Sequence, residues 1–393
     1  MKYFLPVLFL MMVSCKKGGT DCCLPPVETT PTIAIDAIGL AEGNSGTTAF
    51  NFTIQLSNAS SKSVTVRVTT KNGTASAPSD FTSLDKTITF APGEKSIKVA
   101  VSVVADEFKE ADEDFQLMLS EPVNATILTA VGAGSIINDD TKFEVNETGY
   151  TTPNSYPGMN LVWADEFNST TLNTENWNYD VGDGCPNCGW GNNELQFYTA
   201  GDNLYFQSGK MILEARKENK NGKSYTSTRL TSVNKRSFKF GRVDFRAKIP
   251  SGQGIWPAFW MLGDNFPTAG WPACGEIDIL EVLGQQPSKI YSTIHFKSGN
   301  TSARVEKSLV TASSLADEFH VYSLVWEKDK IKTMVDDKTI AEFDPSQVSA
   351  SYPFNEKFFF IMNIAVGGNW PGSPNATTYF PQFMMVDYIR VFQ

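Results

Sequence analysis

The sequence predicts an all-β chain built from two sandwich modules. Short runs of alternating apolar and polar residues recur along its 393 residues, without long helical periodicity. Gly, Pro, Asn and Asp clusters punctuate these runs. All eight Trp fall after residue 160, so the composition changes part-way and marks two different modules.

The chain opens on Lys2 and an apolar stretch over residues 4–13. That stretch is too short to span a bilayer, which needs about 20 residues, and residues 1–14 read as an export signal. Cys15 follows Ser14 directly, as in a lipoprotein signal, so Cys15 is the expected lipidation site. An ordinary cleaved signal is the alternative. Residues 15–32 read as a polar tether. The expected location is outside the cytoplasm, lipid-anchored to the outer membrane or cell surface.

The first module, residues 33–140, has strand-like runs at 49–56, 64–69, 87–90, 96–104 and 115–119, with Pro92-Gly93 at one turn. This rhythm suggests a β-sandwich. The net charge of the whole chain is −10, and residues 31–140 hold fourteen acidic residues against seven basic ones. Such a surface excludes nucleic acid as a partner. The acids gather at turns: Glu42, Asp80, six between Asp106 and Asp114, then Asp139-Asp140. Clustered carboxylates suit a hard cation such as calcium, and a merely solvated acidic rim fits them equally well. Residues 141–156 lack apolar periodicity and are expected to form a linker.

The second module, residues 157–393, has strand-like runs at 211–216, 242–249, 258–262, 276–282, 289–295, 319–327, 330–335, 358–366 and 383–392. In one of them Val243, Phe245, Ala247 and Ile249 alternate with Arg242, Asp244, Arg246 and Lys248, as expected of an antiparallel strand with one wet face. Strands of this number and kind fit a large two-sheet jelly roll.

Within this module Gly275-Glu276-Ile277-Asp278-Ile279-Leu280-Glu281-Val282 sets three carboxylates among aliphatic residues. Alternation puts Glu276 and Asp278 on one face but sends Glu281 to the other, into the core. One extra residue near Ile279-Leu280, a β-bulge, returns Glu281 to its fellows. Crowded carboxylates cannot all ionise, so one is pushed up and stays protonated. An ionised carboxylate beside a protonated one is what glycoside hydrolysis uses. A calcium site or a solvated strand face would show the same spacing.

Aromatic residues flank the acids. Trp256, Trp260, Trp271 and Trp370 lie in Gly- and Pro-rich contexts and are candidate platforms for sugar rings, whereas Trp163, Trp177 and Trp326 have strand-like neighbours and are expected in the core. On the next run His295 alternates with Tyr291 and Thr293. Cys185 and Cys188 form a C-x-x-C pair and Cys274 precedes the acids. No second C-x-x-C supports zinc, and the Gly- and Asn-rich context does not suit a redox site. A disulfide is compatible with an exported protein, its pairing left open.

The first module resembles the Calx-β family through Ala41-Glu42-Gly43-Asn44-Ser45-Gly46, Asn72-Gly73-Thr74-Ala75, Ser79-Asp80-Phe81, Ala91-Pro92-Gly93-Glu94, Asp112-Glu113-Asp114-Phe115 and Ile137-Asn138-Asp139-Asp140. The resemblance implies an immunoglobulin-like sandwich with calcium at one end and Glu42, Asp80, Asp106, Glu113 and Asp140 in ligand positions. The second module resembles glycoside hydrolase family 16, most closely its laminarinase branch, through Trp163-Ala164-Asp165-Glu166-Phe167, Trp190-Gly191-Asn192-Asn193-Glu194-Leu195-Gln196, Ile255-Trp256-Pro257-Ala258-Phe259-Trp260-Met261-Leu262, the acidic octet, and the run from Asn363 through Gly367-Gly368-Asn369-Trp370 to Gly372. This resemblance implies a concanavalin-like jelly roll and a retaining endo-hydrolase of internal β-1,3-glucosidic bonds. Glu276 would be the nucleophile, Glu281 the acid/base and Asp278 the assisting acid. Substrate contacts are implied for Asn193, Arg229 and His295 beside the four Trp. Phe296 stands where relatives often carry Trp, so one stacking contact is expected to be absent. A structural calcium is implied at Asp387, with main-chain oxygens of Glu166 and Gly209. No cofactor is expected for catalysis. The expected partner is a β-glucan, with the membrane reached only through the lipid anchor and the chain monomeric. A mixed-linkage glucanase, an agar- or carrageenan-type galactanase and a non-catalytic glycan-binding lipoprotein are the alternatives.

Overall fold

The structure is a computed structural model and describes residues 29–348 and 351–393. The expected signal segment, Cys15, Cys22, Cys23 and the tether up to residue 28 lie outside the described residues. The described chain divides into two compact units: residues 29–105 with 113–137, and residues 106–112 with 138 onward.

The first unit is a sandwich. One sheet runs Ser96–Ala105, Gly46–Leu56, Thr32–Ile35, Thr126–Ile127; the other runs Ile38–Ala41, Val131–Ile137, Glu113–Val123, Val64–Asn72, Asp85–Phe90. Alternation decides what is buried: Phe50, Phe52 and Ile54 from one sheet and Val64, Val66 and Val68 from the other. Phe115 sits among them, its ring centroid 4.6 Å from Phe81 and 5.8 Å from Phe52. The strand Val131–Ile137 has no apolar alternation in the sequence because two of its inward positions are Gly132 and Gly134. A Cβ at Gly134 would lie 2.6 Å from the Phe115 ring.

The second unit is a larger sandwich. Its outer sheet runs Leu204–Gln207, Lys210–Ala215, Gln382–Phe392, Gly241–Lys248, His320–Glu327, Lys330–Val335, Lys338–Phe343. Its inner sheet runs Asn178–Tyr179, Arg229–Thr231, Phe358–Val366, Ile255–Gly263, Glu276–Val282, Lys289–Ser298, Thr301–Val310. One core lies between them, with Phe245 of the outer sheet stacked on Phe259 of the inner sheet at 4.1 Å. Trp177 and Trp326 are buried and Trp163 packs on the core, as expected.

One expectation fails. The polar face of Gly241–Lys248 is not wet: Arg242, Asp244 and Arg246 are buried. Residues 147–156, inside the stretch expected as a linker, lie along it. Tyr156 donates to Asp244 at 2.6 Å, and Arg246 donates to the main-chain oxygens of Tyr150 and Glu147 at 2.7 and 3.1 Å. Alternation identifies the two faces of a strand but not whether a segment distant in sequence covers the polar one; here ion pairs and hydrogen bonds satisfy the buried charges.

Candidate active site

The acidic strand Glu276–Val282 lies mid-sheet, between Ile255–Gly263 and Lys289–Ser298. Its register against the latter shifts between Asp278 and Glu281: Asp278 faces Thr293 and Glu281 faces Tyr291, so Ile279 and Leu280 together oppose Ser292. On the other side Trp260 opposes Asp278, Phe259 opposes Leu280 and Ala258 opposes Glu281. This is a bulge at the place the sequence demands. Ile279 and Leu280 both enter the core, and Glu276, Asp278 and Glu281 share the opposite face.

The three acids sit in a shielded setting, with Asp278 3% and Glu281 9% exposed. Their hydrogen-bonding surroundings differ. The Trp271 indole donates to Glu276 Oε2 at 2.8 Å. His295 Nε2 lies 3.6 Å from Glu276 and 3.4 Å from Asp278. Near Glu281 is the Thr293 hydroxyl, at 3.5 Å. Burial, then the charge of Asp278, pushes Glu276 up to about 8, while His295 and the Trp271 hydrogen bond pull the other way. Burial, then Asp278, holds Glu281 well above the ordinary carboxyl range, and burial does the same to Asp278. Such a face offers one carboxyl that ionises when assisted and another that keeps its proton.

Aromatic and polar groups extend this face along the sheet. The Arg229 guanidinium lies 4.3 Å from the Trp190 ring and 4.9 Å from the Trp260 ring, and pairs with Asp180 at 2.9 Å. Trp260 donates to Asn363 at 2.9 Å. Trp370 meets Trp256 at 5.3 Å and Tyr291 at 4.9 Å, both edge-to-face. Asn193, at φ +57°, is exposed and donates to Asn369 at 2.8 Å. A surface of partly exposed rings with hydrogen-bonding groups between them can seat a sugar chain.

Residues 191–390 match the profile of glycosyl hydrolases family 16, and residues 40–141 match the Calx-beta domain. The chain belongs to glycosyl hydrolase family 16. Among its relatives, a glucan endo-1,3-beta-glucosidase A1 of Niallia circulans is 37% identical over 322 residues, covering 73% of this chain and 47% of that protein. A beta-glucanase of Rhodothermus marinus is 40% identical over 250 residues, covering 60% of this chain and 86% of that protein. The solved laminarinase catalytic domain of Thermotoga maritima is 40% identical with a TM-score of 0.56, covering 60% of this chain and 98% of that chain. The chain therefore spans about half of the first relative and most of the other two.

Within this family 16 chain the structure gathers Glu276, Asp278, Glu281, His295 and Trp271 in one contact network, with Trp256, Trp260, Trp370, Arg229 and Asn193 on neighbouring elements. Trp260 lies in the expected strand, which extends from Ile255 to Gly263 and takes in Trp256 as well. Phe296 is buried in the core, so its identity removes no stacking contact from the cleft. Residues absent from the sequence-based site are Trp190, Asp180 and Glu194. Buried Glu194 accepts from Asn192, Gln196 and Tyr198, which secures the loop bearing Asn193. The motif Trp190-Gly191-Asn192-Asn193-Glu194 carried that signal. Cys185 and Cys188 are joined as a disulfide in the same loop region; among the described residues Cys274 is free, and buried.

The calcium expected at Asp387 meets an obstacle. Lys210 Nζ lies 2.9 Å from one oxygen of this carboxylate, and Arg246 lies 2.7 Å from the other. Arg390 grips the Glu166 carboxylate through two bonds of 2.7 and 2.8 Å, and Gly209 forms the turn leading to Lys210. A carboxylate already neutralised by two cations does not fit as the anionic ligand of a divalent metal. Of the acids expected to bind calcium near the first module, Glu42, Asp80 and Glu113 belong to the first unit, whereas Asp106 and Asp140 lie in segments grouped with the second.

Proposed function

We propose that this family 16 glycoside hydrolase cleaves internal β-1,3-glucosidic bonds of laminarin-type glucans with retention, using Glu276 as nucleophile and Glu281 as acid/base. The observation that carries the assignment is the unequal provision of hydrogen-bond donors. Glu276 has the Trp271 N–H at 2.8 Å and His295 beside it; Glu281 has the more distant Thr293 hydroxyl at 3.5 Å and the Trp256 side chain. Donors favour the charged form, so Glu276 ionises first and Glu281 keeps its proton. In the first step Glu281 protonates the glycosidic oxygen as Glu276 attacks the anomeric carbon, forming a glycosyl ester and releasing the aglycone end. In the second, Glu281, now a carboxylate, takes a proton from water, and the resulting attack frees Glu276. Asp278 adjoins both glutamates and raises their proton affinity. The β-1,3 linkage is supported by the similarity to the Niallia circulans glucan endo-1,3-beta-glucosidase A1 and the Thermotoga maritima laminarinase.

Anomeric NMR of the first products from laminarin tests the mechanism: β-product first supports it, and inversion refutes it. Product sizing on laminarin, curdlan, lichenan, agarose and carrageenan tests the substrate, with the fastest internal cleavage expected on laminarin. Export with lipidation at Cys15 is proposed from the sequence alone; in a Cys15→Ser variant the protein should leave the membrane fraction. Calcium binding by Glu42, Asp80 and Glu113 rests on the Calx-β resemblance, and calorimetric titration with calcium tests it.

A further inference from the structure

Behind the acidic face, on the core side of the inner sheet, lies a chain of polar groups that plays no direct part in hydrolysis. Ser292 is the single residue opposing both Ile279 and Leu280 across the bulge. Its hydroxyl donates to the main-chain oxygen of Asp278 at 2.8 Å. Thr333, from the outer-sheet strand Lys330–Val335, lies 2.8 Å from the Ser292 oxygen. The proton directions are fixed: a carbonyl only accepts, so Ser292 gives its one proton to Asp278 and Thr333 donates to Ser292.

Both residues are fully buried, at 0% exposure, with the side chains of the apolar core around them. Hydroxyls in such a place are costly unless bonded, and apolar residues of similar size would fill it without that cost. What they contact is the one irregular point of the acidic strand. A bulge interrupts the ladder and frees main-chain groups to turn. A donor on the Asp278 carbonyl restrains that turn, and Thr333 restrains the donor. Thr333 itself stands at a register shift of the outer sheet, between Thr333 and Met334.

We propose that Ser292 and Thr333 are positioning residues for hydrolysis: by holding the Asp278 carbonyl they fix the bulge that turns Glu281 onto the face of Glu276. The proposal rests on Glu276 and Glu281 being the reacting pair. Neither positioning residue touches substrate, so loss of either should lower kcat and leave KM nearly unchanged.

The test is laminarin hydrolysis by the full chain carrying Ser292→Ala, Thr333→Val, Thr333→Ser or Glu281→Gln. Ser292→Ala should lower kcat about tenfold, the factor equivalent to one buried hydrogen bond used to place a reacting group. Its alkaline limb should move to lower pH, because a loosened Glu281 gains water and gives up its proton more readily. Thr333→Val keeps shape and loses the donor; Thr333→Ser loses a methyl and keeps the donor. Positioning predicts lower kcat for Val and near wild-type kcat for Ser, whereas packing alone predicts the reverse. The reverse order overturns the proposal. So does a Ser292→Ala enzyme with wild-type kcat and pH profile, whatever its melting temperature. If Ser292→Ala does not fold, the Thr333 pair decides. Full activity of Glu281→Gln would instead remove the catalytic pair itself, an outcome independent of the Thr333 ranking.

Discussion

Replacing Glu276 by Gln should abolish hydrolysis and stabilise the fold, by an amount that grows with pH. Burial, then Asp278, raises this carboxyl from 4.5 to about 8. The folded state therefore binds the proton more tightly than the unfolded chain. The stability this group supplies is fully present below pH 4.5 and is lost as pH rises through 8. At 1.36 kcal/mol per unit, the loss reaches at most about 3 kcal/mol by pH 7 and about 5 kcal/mol beyond pH 8. Gln is neutral throughout, nearly isosteric, and can still accept from Trp271. In a unit of this size about 3 kcal/mol corresponds to roughly 6–12 °C in Tm. Paired thermal melts between pH 4.5 and 8.5 give the readout. The Tm difference should be small at pH 4.5 and should widen in favour of the variant up to pH 8. A difference independent of pH, or one that favours wild type at neutral pH, would refute the electrostatic account of Glu276.

Three further outcomes are expected. Trp271→Phe keeps the ring and loses the N–H donor to Glu276; since that bond favours the carboxylate, the acid limb of kcat/KM should move up by about half to one pH unit, the lower end reflecting the half-exposed indole. Arg229→Lys forfeits the guanidinium's contact with the Trp190 and Trp260 rings, and initial rates should show KM raised about five- to tenfold with Tm nearly unchanged. Lys210→Met removes the buried ammonium between Asp387 and Glu147 and should lower stability by about 2 kcal/mol in denaturant melts, because Arg246 still neutralises Asp387.

The sequence announces most of the inner sheet because its strands obey alternation or are uniformly apolar. Phe358–Val366 is buried at every position and reads as a strand at once. Thr301–Val310 closes the sheet beyond Lys289–Ser298 but has no fully buried residue, and its alternation of Ala303, Val305 and Leu309 is broken by Lys307, which leaves a weak strand signal. The bulge was legible because an unpaired acid in a core is too costly to accept. The partners of each acid were less so. Trp271 reaches Glu276 from a turn, and Trp190 meets Arg229 from a loop, and loop geometry is written in backbone angles rather than in a residue pattern. Glycines at inward positions hid Val131–Ile137 for a related reason: there the packing surface belongs to the opposing phenylalanine.

The bulge does more than turn one side chain. Without the extra residue, Glu276, Asp278 and the last acid would stand at equal two-residue intervals, and the middle carboxylate would lie equally near both ends. The insertion lengthens only the second interval. Asp278 then groups with Glu276 around His295, at 3.4 and 3.6 Å, with Trp271 completing that side. Glu281 is left at the far side of the bulge, with Thr293 and a buried setting that disfavours its charge. Two identical side chains on one strand, both raised by burial, thus acquire unequal proton affinities from spacing and neighbours. A reaction that needs a nucleophile and a proton donor a few ångströms apart requires that inequality, and it is established by the two aliphatic residues buried between Asp278 and Glu281.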